Sequence, residues 1–315
     1  MKILEIQDLE VSFNDQKAVD SVSLYLNEGE IVGLVGESGC GKSLTALATL
    51  GMSHPSSKVQ GKIFYKDLEL LALNEKDKRK IRGNKISLIP QDPLSALNPV
   101  YTIGDQIAEV LEVHKGLTKK ESMNKAALTL ESVQFPAAFK RLTDYPHQFS
   151  GGMRQRVLIA MALVTEPDVI IADEPTTALD VTIQLQILEI MKELRRRGKA
   201  ILLITHDLGV VAEVCDRVYV MYLGKIVESA TAKEILTNPK HPYTIGLLNS
   251  LPVEGKESLT PIPGQPPGIH AIPTGCAFHT RCPYVFDRCK TEIPELYDIK
   301  TSVEHKSRCF LEIKD

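Results

Sequence analysis

A glycine-rich segment between a short apolar run and a helical segment constrains the fold more than any other feature of this sequence. Residues 36–43 read GESGCGKS, which fits the pattern G-x-x-x-x-G-K-[ST]. The apolar run IVGLV at residues 31–35 is typical of a strand buried on both faces, and residues 44–50 have helical composition. A strand, a glycine-rich turn and a helix in this order predict a loop whose backbone N–H groups bind phosphate.

Two further buried-strand patterns predict the sheet to which this loop belongs. They are VIIA at residues 169–172 and AILLIT at residues 200–205. Between them, residues 183–197 have apolar side chains three and four apart, basic residues in the last turn and Gly198 beyond it, which is typical of a helix end. Strands that alternate with helices indicate a parallel sheet covered on both faces, so we predict an α/β core.

Composition and charge argue against several classes of protein. The net charge of -3 argues against a nucleic-acid binder, which normally carries a basic excess. The longest apolar runs fall far short of the ~20 residues of a membrane span. The first residues, MKILEIQDLEVSF, alternate like a strand and include acidic residues where a signal peptide needs an apolar core. We therefore expect a chain that is made and kept in the cytosol.

The phosphate loop and the second strand predict how a nucleoside triphosphate and its metal would be held. Lys42 would reach the β- and γ-phosphates, and the Ser43 hydroxyl would coordinate Mg²⁺. Asp173 follows the strand pattern at residues 169–172, and the carboxyl end of a buried strand faces the ligand crevice of an α/β sheet. Asp173 therefore suits the Mg²⁺ shell, and the alternative is an ordinary acidic turn before Pro175.

Two more side chains are candidates for hydrolysis. Glu174 would polarise an attacking water as general base. His206 follows the strand pattern at residues 200–205, where a neutral imidazole could hydrogen-bond the γ-phosphate or the attacking water. The plainer alternative for His206 is a capping residue. We predict Glu174, His206 and Lys42 as the catalytic residues.

A third motif leads to a family resemblance. Residues 150–156, SGGMRQR, resemble the signature motif of the ATP-binding cassette (ABC) ATPases. The other marks of that family occur in its order and spacing over residues 1–232, namely the phosphate loop, Gln91 in the Q-loop, Asp173-Glu174, Ala178-Leu179-Asp180 in the D-loop, and His206. The resemblance implies a P-loop NTPase (RecA-like) α/β fold: a parallel sheet core with an antiparallel β edge, a helical signature-motif subdomain and a small C-terminal cysteine-rich extension.

The resemblance also implies a role for each matching residue. The ATP of the chain's own subunit would be bound by Phe13, Gly36, Ser38, Gly39, Cys40, Gly41, Lys42, Ser43 and Gln91. Mg²⁺ would be held by Ser43, Gln91 and Asp173. The ATP of an opposite subunit would be bound by Ser150, Gly151, Gly152 and Met153, with Asp180 in the D-loop. Two cassettes would then pack head to tail with ATP between them.

Three of these positions carry an alternative or a departure. Phe13 resembles the aromatic that stacks on adenine, and the alternative is a plain strand residue. Met153 stands where the family usually has Gln, and a thioether cannot replace the hydrogen bonds of an amide, so we expect modified rather than abolished activity. Cys40 stands where Ser is frequent, and we expect core-like packing rather than redox sensitivity.

Three segments are similar to the ATPase subunits of bacterial dipeptide and oligopeptide importers. They read QDPLSALNP at residues 91–99, HPYT at residues 241–244 and GCAFHTRCP at residues 275–283. The similarity implies a second ABC ATPase, a paralogue or another copy of this chain, under two transmembrane permeases supplied by a peptide-binding protein. It implies a peripheral position on the cytoplasmic face of the bacterial inner membrane. Importers of nickel or another small solute share much of the pattern, and a soluble non-transport ABC protein is the more distant alternative.

Four of the six cysteines crowd the C-terminus with the spacing C-x5-C-x6-C-x19-C. Four thiols in a short segment of little core suggest a bound metal centre as a staple. Zinc usually prefers C-x2 to x4-C knuckles, which are missing, whereas four thiolates also suit a [4Fe-4S] cluster, and homologous tails resemble iron–sulfur sites. A cluster on Cys276, Cys282, Cys289 and Cys309 is the prediction, with Zn²⁺ or free or disulfide-bonded thiols as alternatives.

Two histidines and the domain limits complete the predictions. His279 and His305 are possible substitute ligands, although a surface position is the plainer interpretation of both. We predict a nucleotide-binding domain at residues 1–235, with a helical subdomain at about 93–150, a connector at 236–272 and the cysteine-rich tail at 273–315.

Overall fold

A computed structural model describes residues 1–177, 179–250, 261–299 and 304–313. The strands are β1 Lys2–Phe13, β2 Gln16–Asn27, β3 Ile31–Val35, β4 Ser57–Tyr65, β5 Leu68–Glu69, β6 Ile86–Ile89, β7 Val169–Asp173, β8 Ala200–Thr205, β9 Arg217–Tyr222, β10 Lys225–Thr231, β11 Tyr297–Asp298 and β12 Lys306–Ser307. The α-helices are α1 Lys42–Thr49, α2 Glu75–Ile81, α3 Pro93–Ala96, α4 Ile103–Lys115, α5 Lys119–Ser132, α6 Ala138–Arg141, α7 Gly151–Leu163, α8 Val181–Arg196, α9 Leu208–Val214, α10 Ala232–Thr237, α11 Pro242–Asn249 and α12 Asp287–Thr291.

The chain divides into two compact units. The first contains residues 1–4, 26–30 and 72–204, and the second contains residues 5–25, 31–71 and 205–315. No helix within the described residues is long and apolar enough to cross a membrane.

The first unit contains three parallel strands in the order β6-β7-β8. Ile86 lies opposite Val169, and Val169 lies opposite Ala200. All of β8 and the first four residues of β7 are buried, as their uninterrupted apolar sequences predict for strands covered on both faces. The carboxyl ends of these strands carry Asp173 and Thr205, each followed by a predicted site residue.

The interval predicted as a helical subdomain, at about residues 93–150, contains helices α3 to α6 and belongs to the same unit. Apolar residues recur at helical spacing in residues 103–113 and 121–133, where helices α4 and α5 form. Each begins at a threonine, Thr102 or Thr118, whose side chain accepts a hydrogen bond from the third backbone N–H of the helix. Gly104 of α4 lies close to another segment, because its N–H donates to Leu142 O at 2.8 Å. A Cβ at Gly104 would lie 2.6 Å from that oxygen.

The second unit combines parallel and antiparallel strands. Strand β3 pairs with β9 in parallel, and β9 pairs with β10 antiparallel. Strands β12 and β11 continue the sheet beyond β10, also antiparallel. This unit holds most of a second sheet, in the order β2-β1-β4-β5. Mixed pairing of this kind agrees with a parallel core that has antiparallel edges.

The C-terminal region forms part of the core of the second unit. Tyr222, Tyr243 and Phe278 are buried together, with ring centroids 4.6–5.4 Å apart. The interval expected to be a connector contains α11, and its residues 251–260 lie outside the described residues.

The surface interpretation of His305 is wrong. This side chain is 1% exposed, and its Nε2 lies 2.7 Å from Oε1 of the buried Glu228 on β10. Glu228 also accepts hydrogen bonds from the N–H groups of Lys240 and His241. A lone histidine in an irregular segment has no periodic context, so its burial could not be predicted from sequence.

Candidate active site

Two glycines of the loop between β3 and α1 lie very close to the backbone of other segments. Gly36 has φ 155° and Gly41 has φ 108°, both in the region that favours glycine. A Cβ at Gly36 would lie 2.2 Å from Met221 O, and one at Gly41 would lie 2.8 Å from Ala18 O. These two positions therefore require glycine for space as well as for conformation.

Lys42 begins helix α1 with its side chain buried. It is 5% exposed, and its Nζ donates to Gly36 O at 2.8 Å and to Glu37 O at 3.0 Å. The Cys40 Sγ lies 3.8 Å from the same nitrogen. All three partners are neutral, since burial raises the pKa of the Cys40 thiol. A cationic group surrounded by neutral partners is suited to receive an anion.

The other residues predicted in the loop lie at its open side. Ser38 and Gly39 are exposed, and Ser43 is exposed in the first turn of α1. Cys40 is 4% exposed, which agrees with the expected core-like packing. A cavity of about 250 Å³ adjoins the loop and is lined by residues 17–18, 37–40, 222–224, 266–269 and 272.

The carboxyl end of β7 brings Glu174 and Gln91 together. The Gln91 amide donates to Glu174 Oε2 at 3.0 Å, and the Thr177 hydroxyl donates to the same oxygen at 2.9 Å. Glu174 itself has φ 46°, and its N–H donates to Ile204 O at 2.9 Å. A left-handed backbone at a glutamate is uncommon and is held here by these bonds. Asp173, the last residue of β7, is half-buried.

The predicted signature residues form the start of helix α7. Ser150 is the N-cap, and its hydroxyl accepts a hydrogen bond from the Met153 N–H at 3.4 Å. Ser150 and Gly151 are exposed, so the first N–H groups of a 13-residue helix are accessible to an anion. Gly152 is buried, and a Cβ there would lie 2.8 Å from the Ile183 side chain of α8.

The remaining predicted residues have the following positions. Asp180 caps α8, because its carboxylate accepts the Ile183 N–H at 3.0 Å. His206 is exposed directly after β8, and the capping residue of α9 is its neighbour Asp207. Phe13 is half-buried, with its ring centroid 6.4 Å from that of His54. Ala178 of the predicted D-loop lies outside the described residues.

The four tail cysteines are buried or half-buried. Cys289 and Cys309 are each 9% exposed, and the Cys276 N–H donates to Cys289 O at 2.8 Å. Burial raises the pKa of Cys309 to about 12, with further upward contributions from Cys276, Cys282 and Cys289. Among the described residues, no three His, Cys, Asp or Glu side chains are arranged to hold a metal ion.

Sequence reasoning missed two contacts of the phosphate loop. The Glu37 N–H donates to the Tyr243 hydroxyl at 2.8 Å, and Arg281 forms a salt bridge with the Glu37 carboxylate. Both partners belong to segments noted for their family resemblance, HPYT at residues 241–244 and GCAFHTRCP at residues 275–283, which were given no role in the nucleotide site. No local pattern indicates which loop such distant residues contact.

Comparison with known proteins identifies the family to which this site belongs. Residues 19–177 match the family described as "ABC transporter", and residues 227–289 match "Oligopeptide/dipeptide transporter, C-terminal region". The chain is 50% identical over 321 residues to the dipeptide transport ATP-binding protein DppD of Bacillus subtilis, with 99% of this chain and 95% of that protein covered. The chain belongs to the ATP-binding proteins of ABC transporters. This cassette is also 47% identical over 300 residues to the oligopeptide transport ATP-binding protein OppD of Salmonella typhimurium, covering 93% of this chain and 89% of that protein.

Solved structures share the fold of the cassette. The dimeric ATP-binding cassette MJ0796 with bound ADP and Pi matches 73% of this chain and 98% of its own, with a TM-score of 0.65 and 26% identity. CbiO1 from Clostridium perfringens, part of the transporter complex cbiONQ, matches 75% of this chain and 91% of its own with the same TM-score and identity. The expected α/β cassette fold is therefore confirmed.

Proposed function

We propose that this protein binds and hydrolyses ATP and so drives the import of dipeptides or oligopeptides through a membrane transporter. The observation that supports ATP binding is the buried ammonium of Lys42, whose hydrogen-bond partners among the described residues are all neutral. Burying a charge is costly unless an opposite charge accompanies it, and a triphosphate would supply that charge. Peptide transport is supported by the relatives, which are dipeptide and oligopeptide transport ATP-binding proteins.

In this proposal, different residues bind the phosphates, hold Mg²⁺ and activate the attacking water. The loop N–H groups and Lys42 would hold the phosphates, and oxygen atoms of Ser43, Gln91 and Asp173 would hold Mg²⁺, which prefers such ligands. Glu174 would accept a proton from the attacking water while the γ-phosphate leaves ADP. Its Oε2 accepts hydrogen bonds from Gln91 and Thr177, which orient the carboxylate. His206 would hydrogen-bond the γ-phosphate.

The exposed start of α7 supports a second nucleotide contact. Ser150, Gly151, Gly152 and Met153 would bind the ATP held by another cassette, either a paralogue or a second copy of this chain. Phe13 would stack on the adenine, and Asp180 would belong to the D-loop of the same interface. We propose two transmembrane permeases as further partners and a peptide-binding protein as the source of substrate. The chain would then lie on the cytoplasmic face of the bacterial inner membrane.

An iron–sulfur cluster remains our proposal for the C-terminal tail. Cys276, Cys282, Cys289 and Cys309 would be its ligands as thiolates, which is the ligand set of a [4Fe-4S] centre. The hydrogen bond from the Cys276 N–H to Cys289 O, together with the contribution of the other three thiols to the raised pKa of Cys309, supports a common site. Each thiolate of such a cluster binds a different iron atom, so the sulfurs need not converge on one ion, as four zinc ligands must. When bound, the cluster would cross-link a tail with few regular elements.

Anaerobic purification tests the cluster. The wild-type chain is expected to contain iron and sulfide and to absorb in the thiolate-to-iron charge-transfer region, and Cys309→Ser is expected to lose most of both signals. Cys215→Ser is the matched control, because this partly buried thiol lies between α9 and β9, outside the tail. A colourless preparation with one zinc per chain would overturn the cluster in favour of zinc.

The nucleotide site is tested by Lys42→Ala in the full chain. Removing the only ammonium in the loop should weaken Mg-ATP binding at least tenfold, measured by equilibrium dialysis. Lys80→Ala is the control, because Lys80 forms an exposed pair with Asp77 and should leave binding unchanged. Equal ATP affinity of Lys42→Ala and wild type would contradict the assignment of the loop.

A further inference from the structure

Glu37 of the phosphate loop forms hydrogen bonds through its backbone and its side chain, and two of its partners, Tyr243 and Arg281, belong to the C-terminal region. Arg281 donates from both terminal nitrogens to the two carboxylate oxygens of Glu37, at 2.7 and 3.0 Å. The Tyr243 hydroxyl accepts the Glu37 N–H at 2.8 Å. The Glu37 carbonyl accepts from Lys42 Nζ at 3.0 Å. The backbone and side chain of this one residue therefore join Lys42 to Arg281 and Tyr243.

The Arg281 side chain is buried. It is 5% exposed, and its Nε donates to Pro263 O at 2.9 Å. A planar guanidinium that makes two parallel bonds to a carboxylate fixes the direction of both groups. Loss of the half-buried Glu37 carboxylate would leave the buried guanidinium poorly compensated. The pair therefore constrains the Glu37 side chain strongly.

Tyr243 is held with comparable firmness. The residue is fully buried against Tyr222 and Phe278, and its own N–H donates to His241 Nδ1 at 3.1 Å. Burial lowers the pKa of His241 to about 4, so its ring is neutral at pH 7 and Nδ1 can accept that bond. The hydroxyl of Tyr243 is thus fixed in place before any nucleotide arrives.

We propose that Arg281 and Tyr243 are positioning residues for ATP binding, which hold Glu37 so that the loop and Lys42 keep the shape that receives the phosphates. The inference rests on the proposed role of the loop in ATP binding. It extends the nucleotide site to two residues that lie beyond residues 19–177, the part of the chain that matches the ABC transporter family. The C-terminal region thereby acts on the affinity of the cassette for its nucleotide.

The test separates KM from kcat in ATP hydrolysis by the full chain in its transporter assembly. Arg281→Gln should raise the KM for ATP about tenfold, a loss of about 1.4 kcal/mol of binding, while kcat changes less than twofold. Arg281→Lys keeps the charge without the paired geometry and should lie between wild type and Arg281→Gln. Arg288→Gln is the matched control, since Arg288 pairs with Glu292 on the surface of the same tail. It should leave both constants unchanged.

A double substitution and a milder variant complete the test. Glu37→Gln combined with Arg281→Gln should raise KM no further than either change alone, because the same interaction is removed. Tyr243→Phe removes one hydroxyl from an otherwise intact core and should raise KM at least threefold, which keeps the test available if Arg281→Gln fails to fold. A lower melting temperature with unchanged KM, or additive effects in the double variant, would overturn the proposal. Normal ATP affinity of Lys42→Ala would instead overturn the proposed function on its own.

Discussion

Glu174 has a strained, left-handed backbone and a side chain whose orientation is set by hydrogen bonds. Its left-handed backbone is held by the bond to Ile204 O, and its side chain is oriented by Gln91 and Thr177. Backbone strain of this kind persists where the surroundings over-determine it, and it concentrates at functional sites. The carboxylate is therefore presented in one orientation, as a general base requires.

Glu174→Gln is predicted to abolish hydrolysis without loss of ATP binding. The amide keeps the shape of the side chain but cannot accept a proton, and general-base catalysis contributes roughly 10²–10⁴-fold to rate. We expect at least a 100-fold slower single turnover, with ATP retained in a closed cassette dimer. Glu166→Gln is the control, because the exposed Glu166 also has a left-handed backbone, with φ 61°, and pairs with Lys125. Rapid turnover in Glu174→Gln would refute the role of this carboxylate.

At the scale of elements, the sequence predicts helices and strands that have a repeated apolar pattern, and it does not predict strands of only two residues. Strands β7 and β8 are apolar without interruption, and α4 and α5 have helical spacing, so burial and type follow from composition. Strands β11 and β12 have two residues each, too few to show alternation. In the site, loop glycines and strand-end carboxylates are readable from local pattern. The contact of Glu37 with Arg281 is not, because 244 positions separate them.

His305→Ala is predicted to loosen the C-terminal strands. The change removes a buried hydrogen bond to the Glu228 carboxylate, worth about 2 kcal/mol, because that acceptor stays buried. Amide hydrogen exchange in β12 should accelerate by roughly tenfold or more, measured by mass spectrometry on the full chain. The exposed His270 provides the control substitution His270→Ala, with no expected change. Equal exchange in both variants would show that the pair does not secure β12.

On the scale of the whole molecule, the C-terminal region contacts the phosphate loop directly. Residues 227–289 match a C-terminal region of oligopeptide and dipeptide transporters, and they include Tyr243 and Arg281, which bind the phosphate loop. The net charge of -3 suits a subunit that is held by protein partners rather than by anionic lipid. In the proposed transporter, this chain would couple its ATP cycle to its membrane partners.

ATP hydrolysis by the tagged chain, purified with its membrane partners and reconstituted in vesicles, tests the proposed function most directly. We predict that two polytopic permeases and a second ATPase co-purify, and that a peptide-loaded binding protein stimulates hydrolysis several-fold. The same assembly with Glu174→Gln should show no stimulated hydrolysis. A hydrolysis rate that the peptide-loaded binding protein does not raise, or that only a nickel-loaded binding protein raises, would contradict peptide import.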